Sequence, residues 1–196
     1  MAAASLGWAA FYRGEYALAT QVLEERLGLC EKLGDCFILG IALANLAEAL
    51  YAQGDHGRAL SRFAESLRLY RVIGDGNIAA VCLEGVARVL RARGQVGGRR
   101  CKEVHHPAGA TRARTGGTHG AHFFAAAASL RETLDAPFRP AEKVDYDPDM
   151  AAVRAALRAA LGPQAFAAAW ACGHALTPEQ AVVEALEAAG DQRTGE

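Results

Sequence analysis

The sequence lacks the short motifs around which most catalytic and cofactor sites are built. It has no Gly-x-x-x-x-Gly-Lys-Ser/Thr phosphate loop, no Cys-x-x-Cys pair and no Gly-x-Ser-x-Gly turn. These absences leave no recognisable framework for nucleotide hydrolysis, a tetrahedral zinc site or a serine nucleophile. The 5 cysteines are scattered and odd in number, so we expect reduced thiols and no disulfide framework. The sequence predicts neither an enzyme nor a bound cofactor.

Targeting signals and long apolar runs are also missing. Residues 1–16 lack the basic region and the sustained apolar region of a signal peptide. The most apolar run, residues 36–47, is predicted to be too short to span a bilayer, and it carries Asn45. The formal net charge of -1 gives no overall attraction to nucleic acid or to an anionic membrane. We therefore expect a cytoplasmic protein without a membrane partner.

The chain does contain an internal repeat. Gly14, Gly54 and Gly94 are 40 residues apart, and the dipeptides Gly34-Asp35 and Gly74-Asp75 follow the same period. Apolar residues spaced three and four apart between these glycines predict amphipathic helices. Glycine suits the left-handed residue that ends a helix, and aspartate can cap the next helix. The period therefore predicts an all-α stack of helix-turn-helix pairs. Matching apolar positions are Ala19/Ala59, Leu27/Leu67, Leu29/Leu69, Ile38/Ile78, Leu43/Leu83, Ala47/Ala87 and Leu50/Leu90.

The pattern within one unit resembles a tetratricopeptide repeat. Leu43-x-x-Leu46-Ala47-x-x-Leu50 is followed by Gly54-Asp55, Ala59 and Phe63, which reproduces that repeat's order of large, small and aromatic positions. Because Ala47 and Ala59 match positions where two helices cross, bulkier side chains there are expected to push the helices apart. Units of 40 rather than the common 34 residues resemble those of large bacterial signal-transduction ATPases and LuxR-type regulators.

The C-terminal third carries a second resemblance. Residues 160–187 are similar to the segment that closes the tetratricopeptide region of those regulators. The matching residues are Gly162, Phe166, Ala169, Trp170, Gly173, Leu176, Thr177, Gln180 and Ala181. Together the resemblances imply an all-α solenoid with a helical C-terminal cap, acting as the sensor region of a bacterial transcriptional regulator. The ATPase and DNA-reading domains of such regulators are missing from this sequence.

Helix signals in this third predict three successive helices. The first runs from Asp147-Pro148 to Leu161, after a breaker-rich stretch, and the second runs from Pro163 to about Gly173. The last spans roughly 178–189, with Thr177 as its cap and Gln180 completing a capping box. The predicted organisation is repeats in 1–95, an insertion in 96–122, a helical segment in 123–190 and a polar tail in 191–196.

The segment 96–122 breaks the period and admits several interpretations. Cys101, His105, His106, His119 and His122 offer zinc donors, but they lie among glycines without a hydrophobic anchor. Residues 99–114 are locally basic but carry no interleaved aromatics for base stacking. The period resumes near Phe123, so we favour a disordered insertion or a stretch read in a shifted frame.

The resemblance also implies a binding groove. In tetratricopeptide arrays the first helix of each pair lines a concave surface that holds a peptide or protein segment. The residues predicted to face it are Trp8, Phe11, Tyr12, Ile41, Ala44, Asn45, Glu48, Tyr51, Glu84, Arg88 and Arg91. The aromatic side chains among them supply rigid contact area, and the arginines can pair with acidic groups. Packing against a further repeat, or a merely solvated face, would explain the same residues.

The favoured interpretation is a scaffold that binds protein or peptide and has no catalytic role. The alternative is a nucleic-acid-binding regulatory protein that uses residues 99–114. A remnant without independent function is a third possibility. The sequence leaves the ligand and the oligomeric state open.

Overall fold

The computed structural model describes residues 2–93, 119–134 and 140–190, and these residues are helical apart from short turns. The helices of this described part are α1 Ala2–Tyr12, α2 Tyr16–Leu33, α3 Cys36–Gln53, α4 His56–Ile73, α5 Gly76–Ala92, α6 His119–Leu134, α7 Pro140–Leu161, α8 Pro163–His174 and α9 Pro178–Gly190.

From α1 to α6 each helix packs on its neighbour in sequence, and α3 also contacts α5. Helices α1 to α5 are joined by turns of two or three residues, so consecutive helices run antiparallel. The pairs α1–α2, α3–α4 and α5–α6 therefore stack as an all-α solenoid. The helices that follow close its C-terminal end, so the predicted fold class, a helix-turn-helix solenoid with a helical cap, is confirmed.

The turns follow the predicted chemistry. Gly34, Gly54 and Gly74 end their helices with φ of 68°, 89° and 71°, in the left-handed region that glycine adopts without strain. The Asp35 carboxylate then accepts hydrogen bonds from the backbone N–H groups of Phe37 (2.9 Å) and Ile38 (3.1 Å). Each turn thus satisfies backbone groups of two helices at once.

The cap of α4 provides a stability prediction. The Asp55 carboxylate accepts a hydrogen bond from the Arg58 backbone N–H at 3.0 Å. Glu15, 40 residues earlier, occupies the same position before α2, but its side chain makes no hydrogen bond to the backbone of that helix. We expect Asp55→Ala to lower the free energy of unfolding by about 1 kcal/mol. Glu15→Ala is the matched control and should change it by less than about 0.5 kcal/mol. Urea denaturation followed by circular dichroism measures both; equal losses would contradict the capping role.

Small residues let the helices approach closely. Ala47 and Ala59 are fully buried, as their predicted place at a helix crossing requires. A Cβ atom added to Gly85 would lie only 2.2 Å from Cζ of Phe63, whose ring is also fully buried. The ring of α4 therefore lies directly against the backbone of α5, and the core depends on side-chain size at this contact.

Helix α3 is, by length and composition alone, apolar enough to cross a membrane, which the sequence analysis did not expect. Its buried residues, however, pack against α2, α4 and α5, and Glu48 in its fourth turn is paired with an arginine of α5. Packing inside the solenoid accounts for its apolar composition.

Two helices begin earlier than predicted. α7 begins at Pro140, so Asp147 and Pro148 lie inside it rather than at its start. Proline suits the first helical position, so Pro140 can begin the helix as well as Pro148 could. Pro148 has no backbone N–H to donate, but α7 continues past it. α6 begins at His119, so residues 119–122 of the predicted insertion are helical, and His122 is buried.

The C-terminal helices depart from simple stacking. α8 packs mainly on α6, α7 contacts both more sparsely, and α9 packs on α4, α5 and α6. α9 begins with the predicted capping box: Thr177 N–H donates to Gln180 Oε1 at 2.9 Å and Gln180 N–H donates to Thr177 Oγ1 at 3.3 Å. The closing helix therefore ties the second repeat to the third.

Candidate partner-binding groove

The first helices of the second and third pairs bring three predicted groove residues into contact. Glu48 on α3 accepts a hydrogen bond from Arg88 on α5, and these residues occupy equivalent positions 40 residues apart. The Arg88 guanidinium carbon lies 4.9 Å from the centre of the Tyr51 ring, within the range of a cation–π contact. Contact between equivalent positions is what stacked repeats in register produce.

Glu84 is held by an arginine that the sequence analysis did not identify. Arg131 on α6 donates to it twice, from Nε to Oε1 at 3.0 Å and from Nη2 to Oε2 at 2.8 Å. Glu84 is 5% exposed, so it presents little surface to a partner. The period stops before α6, and only the general preference of buried carboxylates for arginine could have suggested such a partner.

Burial and neighbouring charges shift the pKa values of Glu84 and Arg88. Burial raises the pKa of Glu84, while the hydrogen bonds and charge of Arg131, and the charge of Arg88, oppose that rise. Burial acts to lower the pKa of Arg88, but the charge and hydrogen bond of Glu48, together with Tyr51 and the charge of Glu84, outweigh burial and raise this pKa. The neighbouring opposite charges therefore favour the ionised forms of Glu84 and Arg88 against the effect of burial. We call Glu48, Glu84, Arg88 and Arg131 the groove-floor charge cluster.

Two arginines of α5 carry buried donors that lack an acceptor within the described part of the chain. Nε of Arg88 and Nε of Arg91 are buried and have no acceptor among the residues that the structure describes. Arg91 lies one turn beyond Arg88 on α5 and is partly exposed. A buried N–H group without an acceptor is costly, so these two donors lower the stability of the region in which they lie.

The first repeat contributes aromatic rings. The ring centres of Trp8 and Phe11 are 5.1 Å apart, those of Trp8 and Tyr12 are 5.7 Å apart, and Phe11 also contacts Tyr16 at 5.5 Å. Tyr12 is 60% exposed. Trp8 precedes Glu48 by 40 residues and Phe11 precedes Tyr51 by 40, so aromatics occupy in α1 the positions that Glu48 and Tyr51 occupy in α3.

The remaining predicted residues differ in accessibility. Asn45 and Ile41 are half-buried on α3, whereas Ala44 is buried and belongs to the core. The structure thus assembles Glu48, Tyr51 and Arg88 in one place and the aromatic side chains of α1 in another.

The candidate zinc donors are only partly described. Nε2 of His122 lies 2.8 Å from Glu184 Oε2 on α9, so this histidine joins two helices. Among the side chains that the structure describes, in 6–93, 119–134 and 151–190, no three His, Cys, Asp or Glu are grouped closely enough to hold a metal. Cys101, His105 and His106, the basic residues 99–114 and the tail 191–196 lie outside the described residues.

Comparison with known proteins agrees with this geometry. A tetratricopeptide-repeat family model matches residues 38–96, which include nearly all of α3 and the whole of α4 and α5. No curated protein and no solved structure shows significant similarity to the chain. Tetratricopeptide repeats are non-catalytic scaffolds that generally mediate protein–protein interaction. Residues 38–96 therefore constitute a tetratricopeptide-repeat region in the middle of this helical solenoid.

Proposed function

We propose that the protein is a scaffold that binds an extended segment of another protein along the surface lined by α1, α3 and α5. The observation that carries this proposal is the contact of Arg88 with both Glu48 and Tyr51, because it aligns equivalent positions of consecutive tetratricopeptide units. Alignment of α3 with α5 gives a partner one continuous surface across the second and third repeats, and the 40-residue period extends this surface toward α1.

The chemistry of this surface favours a ligand with two different ends. At α1 the rings of Trp8, Phe11 and Tyr12 suit an apolar or aromatic side chain. At α5 the groove-floor charge cluster together with Arg91 contains three arginines against two glutamates, a formal excess of one positive charge. The partly exposed Arg91 side chain there suits carboxylate or backbone carbonyl oxygens. The ligand of this proposal is a peptide with an apolar residue followed by acidic residues.

The wider setting of the proposal is the sensor region of a bacterial transcriptional regulator in the cytoplasm. Its support is the sequence resemblance of residues 160–187 to the closing segment of such regulators. The DNA of the locus, read in all frames, tests this setting. An in-frame upstream ATPase would support it, and apolar helix-coding sequence in a neighbouring frame across 96–122 would support the shifted-frame hypothesis.

Peptide binding tests the groove directly. Peptides selected from a phage-displayed library against the whole chain can be measured by fluorescence polarisation. We expect Tyr51→Ala to weaken binding by about 10-fold or more, because a buried aromatic anchor contributes at least about 1–2 kcal/mol. Arg68→Ala on α4, an exposed arginine outside the groove, is the matched control and should leave the affinity unchanged.

Salt dependence separates this proposal from nucleic-acid binding. Peptide affinity held mainly by aromatic rings and an excess of one positive charge should fall only modestly between low and physiological salt. A short DNA or RNA duplex that neutralises several arginines should instead lose affinity steeply and in proportion to the logarithm of salt concentration. Tight, salt-sensitive duplex binding that survives Tyr51→Ala would overturn the groove as the site of function.

A further inference from the structure

Glu84 and Arg88 are neighbours on α5 that pair with different helices. They lie four residues apart with the glutamate on the N-terminal side, which is the spacing and order that favour an ion pair along a helix. In the structure, Arg131 of α6 instead donates to both oxygens of Glu84, at 3.0 Å and 2.8 Å. Arg88 donates to Glu48 of α3. Arg131 therefore occupies the carboxylate that lies within reach of Arg88.

The groove-floor charge cluster holds two carboxylates and two arginines with little solvent around them. The side chains of Arg88 and Glu48 are 13% and 15% exposed, and those of Arg131 and Glu84 are 15% and 7% exposed. Solvent and salt therefore screen these charges only weakly. The charge of Arg88 also acts on Glu84. Without Arg131, one arginine of the cluster would stand between two carboxylates, each of which needs a positive partner.

Arg88 carries a donor with which it could turn toward Glu84. Its Nε is buried and has no acceptor among the described residues. Pairing this donor with Glu84 would satisfy it, but the guanidinium carbon would then leave its place 4.9 Å from the centre of the Tyr51 ring. The contact between Arg88 and Tyr51, which joins α5 to α3, thus depends on what binds Glu84.

We propose that Arg131 is a positioning residue of the groove, because its hold on Glu84 leaves Arg88 with α3. Arg88 then stays in contact with Glu48 and Tyr51. Since Arg131 belongs to α6, the binding surface of α3 and α5 is complete only when α6 is packed on α5. A bound partner and the packing of α6 therefore stabilise each other. This last consequence rests on the proposed function, whereas the position of Arg88 does not.

NMR of the whole chain, labelled at arginine, tests the position of Arg88 without any ligand. The ring of Tyr51 should shift the side-chain proton resonances of Arg88 upfield, and Tyr51→Leu identifies that shift by removing it. We expect Arg131→Met to abolish the shift. Glu84→Gln combined with Arg131→Met should restore it, because Arg88 then has no second carboxylate to pair with.

Two further variants separate positioning from a general loss of structure. Arg62→Met on α4 removes an arginine that pairs with Glu65, and it should leave the Arg88 resonances unchanged. Arg131→Gln keeps a hydrogen-bond donor beside Glu84 but removes the charge. It should abolish the upfield shift and takes the place of Arg131→Met if circular dichroism shows that Arg131→Met is unfolded.

Fluorescence polarisation with the library-selected peptides measures the effect on binding. Arg131→Met, or Arg131→Gln in its place, should weaken binding by about 10-fold, and the double variant with Glu84→Gln should return to within about 3-fold of the wild type. If no peptide binds the wild type, the proposed function fails while the NMR result still decides the position of Arg88. An upfield shift that persists without Arg131, or is not restored by Glu84→Gln, would overturn the proposal, and so would peptide affinity that is equal in all variants.

Discussion

Replacing Gly173 by alanine is expected to lower the free energy of unfolding by about 3 kcal/mol or more. A Cβ atom at this position would lie 2.0 Å from the backbone oxygen of His122 and 2.9 Å from its Cα atom. The obstacle is backbone rather than a flexible side chain, so α8 can accommodate the methyl group only by moving away from α6. Urea denaturation followed by circular dichroism measures the loss.

Gly28→Ala is the control for this experiment. Gly28 is also helical, on α2, and a Cβ atom there would meet nothing within 4 Å. Alanine should therefore stabilise α2 by about 0.5–1 kcal/mol, the usual helical advantage over glycine. Opposite signs for the two glycine-to-alanine changes would establish that close approach, not helix propensity, determines the effect at Gly173. A loss below about 1 kcal/mol for Gly173→Ala would contradict the close packing of α8 on α6.

The parts of the fold that the sequence predicted are those that depend on local chemistry. Gly34-Asp35 and Gly74-Asp75 identify turns because the left-handed glycine and the capping aspartate act within a few residues of each other. The Thr177–Gln180 capping box is equally local. Repetition of these signals at a constant period also fixed the stacking of α1 to α5, because equivalent residues of successive repeats must then lie side by side.

The features that were missed depend on residues far apart in the chain. Proline at 140 and at 148 gives the same local start signal, so the first helical residue of α7 could not be chosen from the sequence. The approach of Gly173 to His122 has no local signature. Glu84 and Arg131 are 47 residues apart, on opposite sides of a stretch where the period is lost. The tetratricopeptide resemblance implied that Glu84 faces the groove, but it gave no sign that Glu84 is already paired.

The pair formed by Glu84 and Arg131 gives the second large expected effect. Arg131→Met should lower the free energy of unfolding by about 3–5 kcal/mol, because it leaves a buried carboxylate without its two hydrogen-bond donors. Arg62→Met is the control. Arg62 also binds a carboxylate, Glu65 at 2.7 Å, but both side chains are about one-third exposed, so the loss there should stay below about 1 kcal/mol.

The effect of Arg131→Met should also depend on pH in a defined direction. Burial raises the pKa of Glu84 above its ordinary value of 4.5, and Arg131 opposes the rise, so removing Arg131 raises this pKa further. A carboxyl with a raised folded-state pKa contributes stability below its unfolded pKa, and that contribution is lost as pH rises through the folded pKa. The difference in free energy of unfolding between the wild type and Arg131→Met should therefore be small near about pH 4 and grow toward about pH 8.

A double-variant cycle isolates the charge from the packing at this site. Glu84→Gln with Arg131→Met removes the uncompensated negative charge while keeping side chains of similar size, so it should be more stable than Arg131→Met alone at neutral pH. The free energy of unfolding of the double variant should also depend much less on pH than that of Arg131→Met. If Arg131→Met is as mild as Arg62→Met, or its loss is the same at acidic and neutral pH, Glu84 is not a buried charge that depends on α6. If the predicted pattern appears, the same arginine links the groove surface of α5 to α6, and the groove-floor charge cluster is part of the solenoid's own stability.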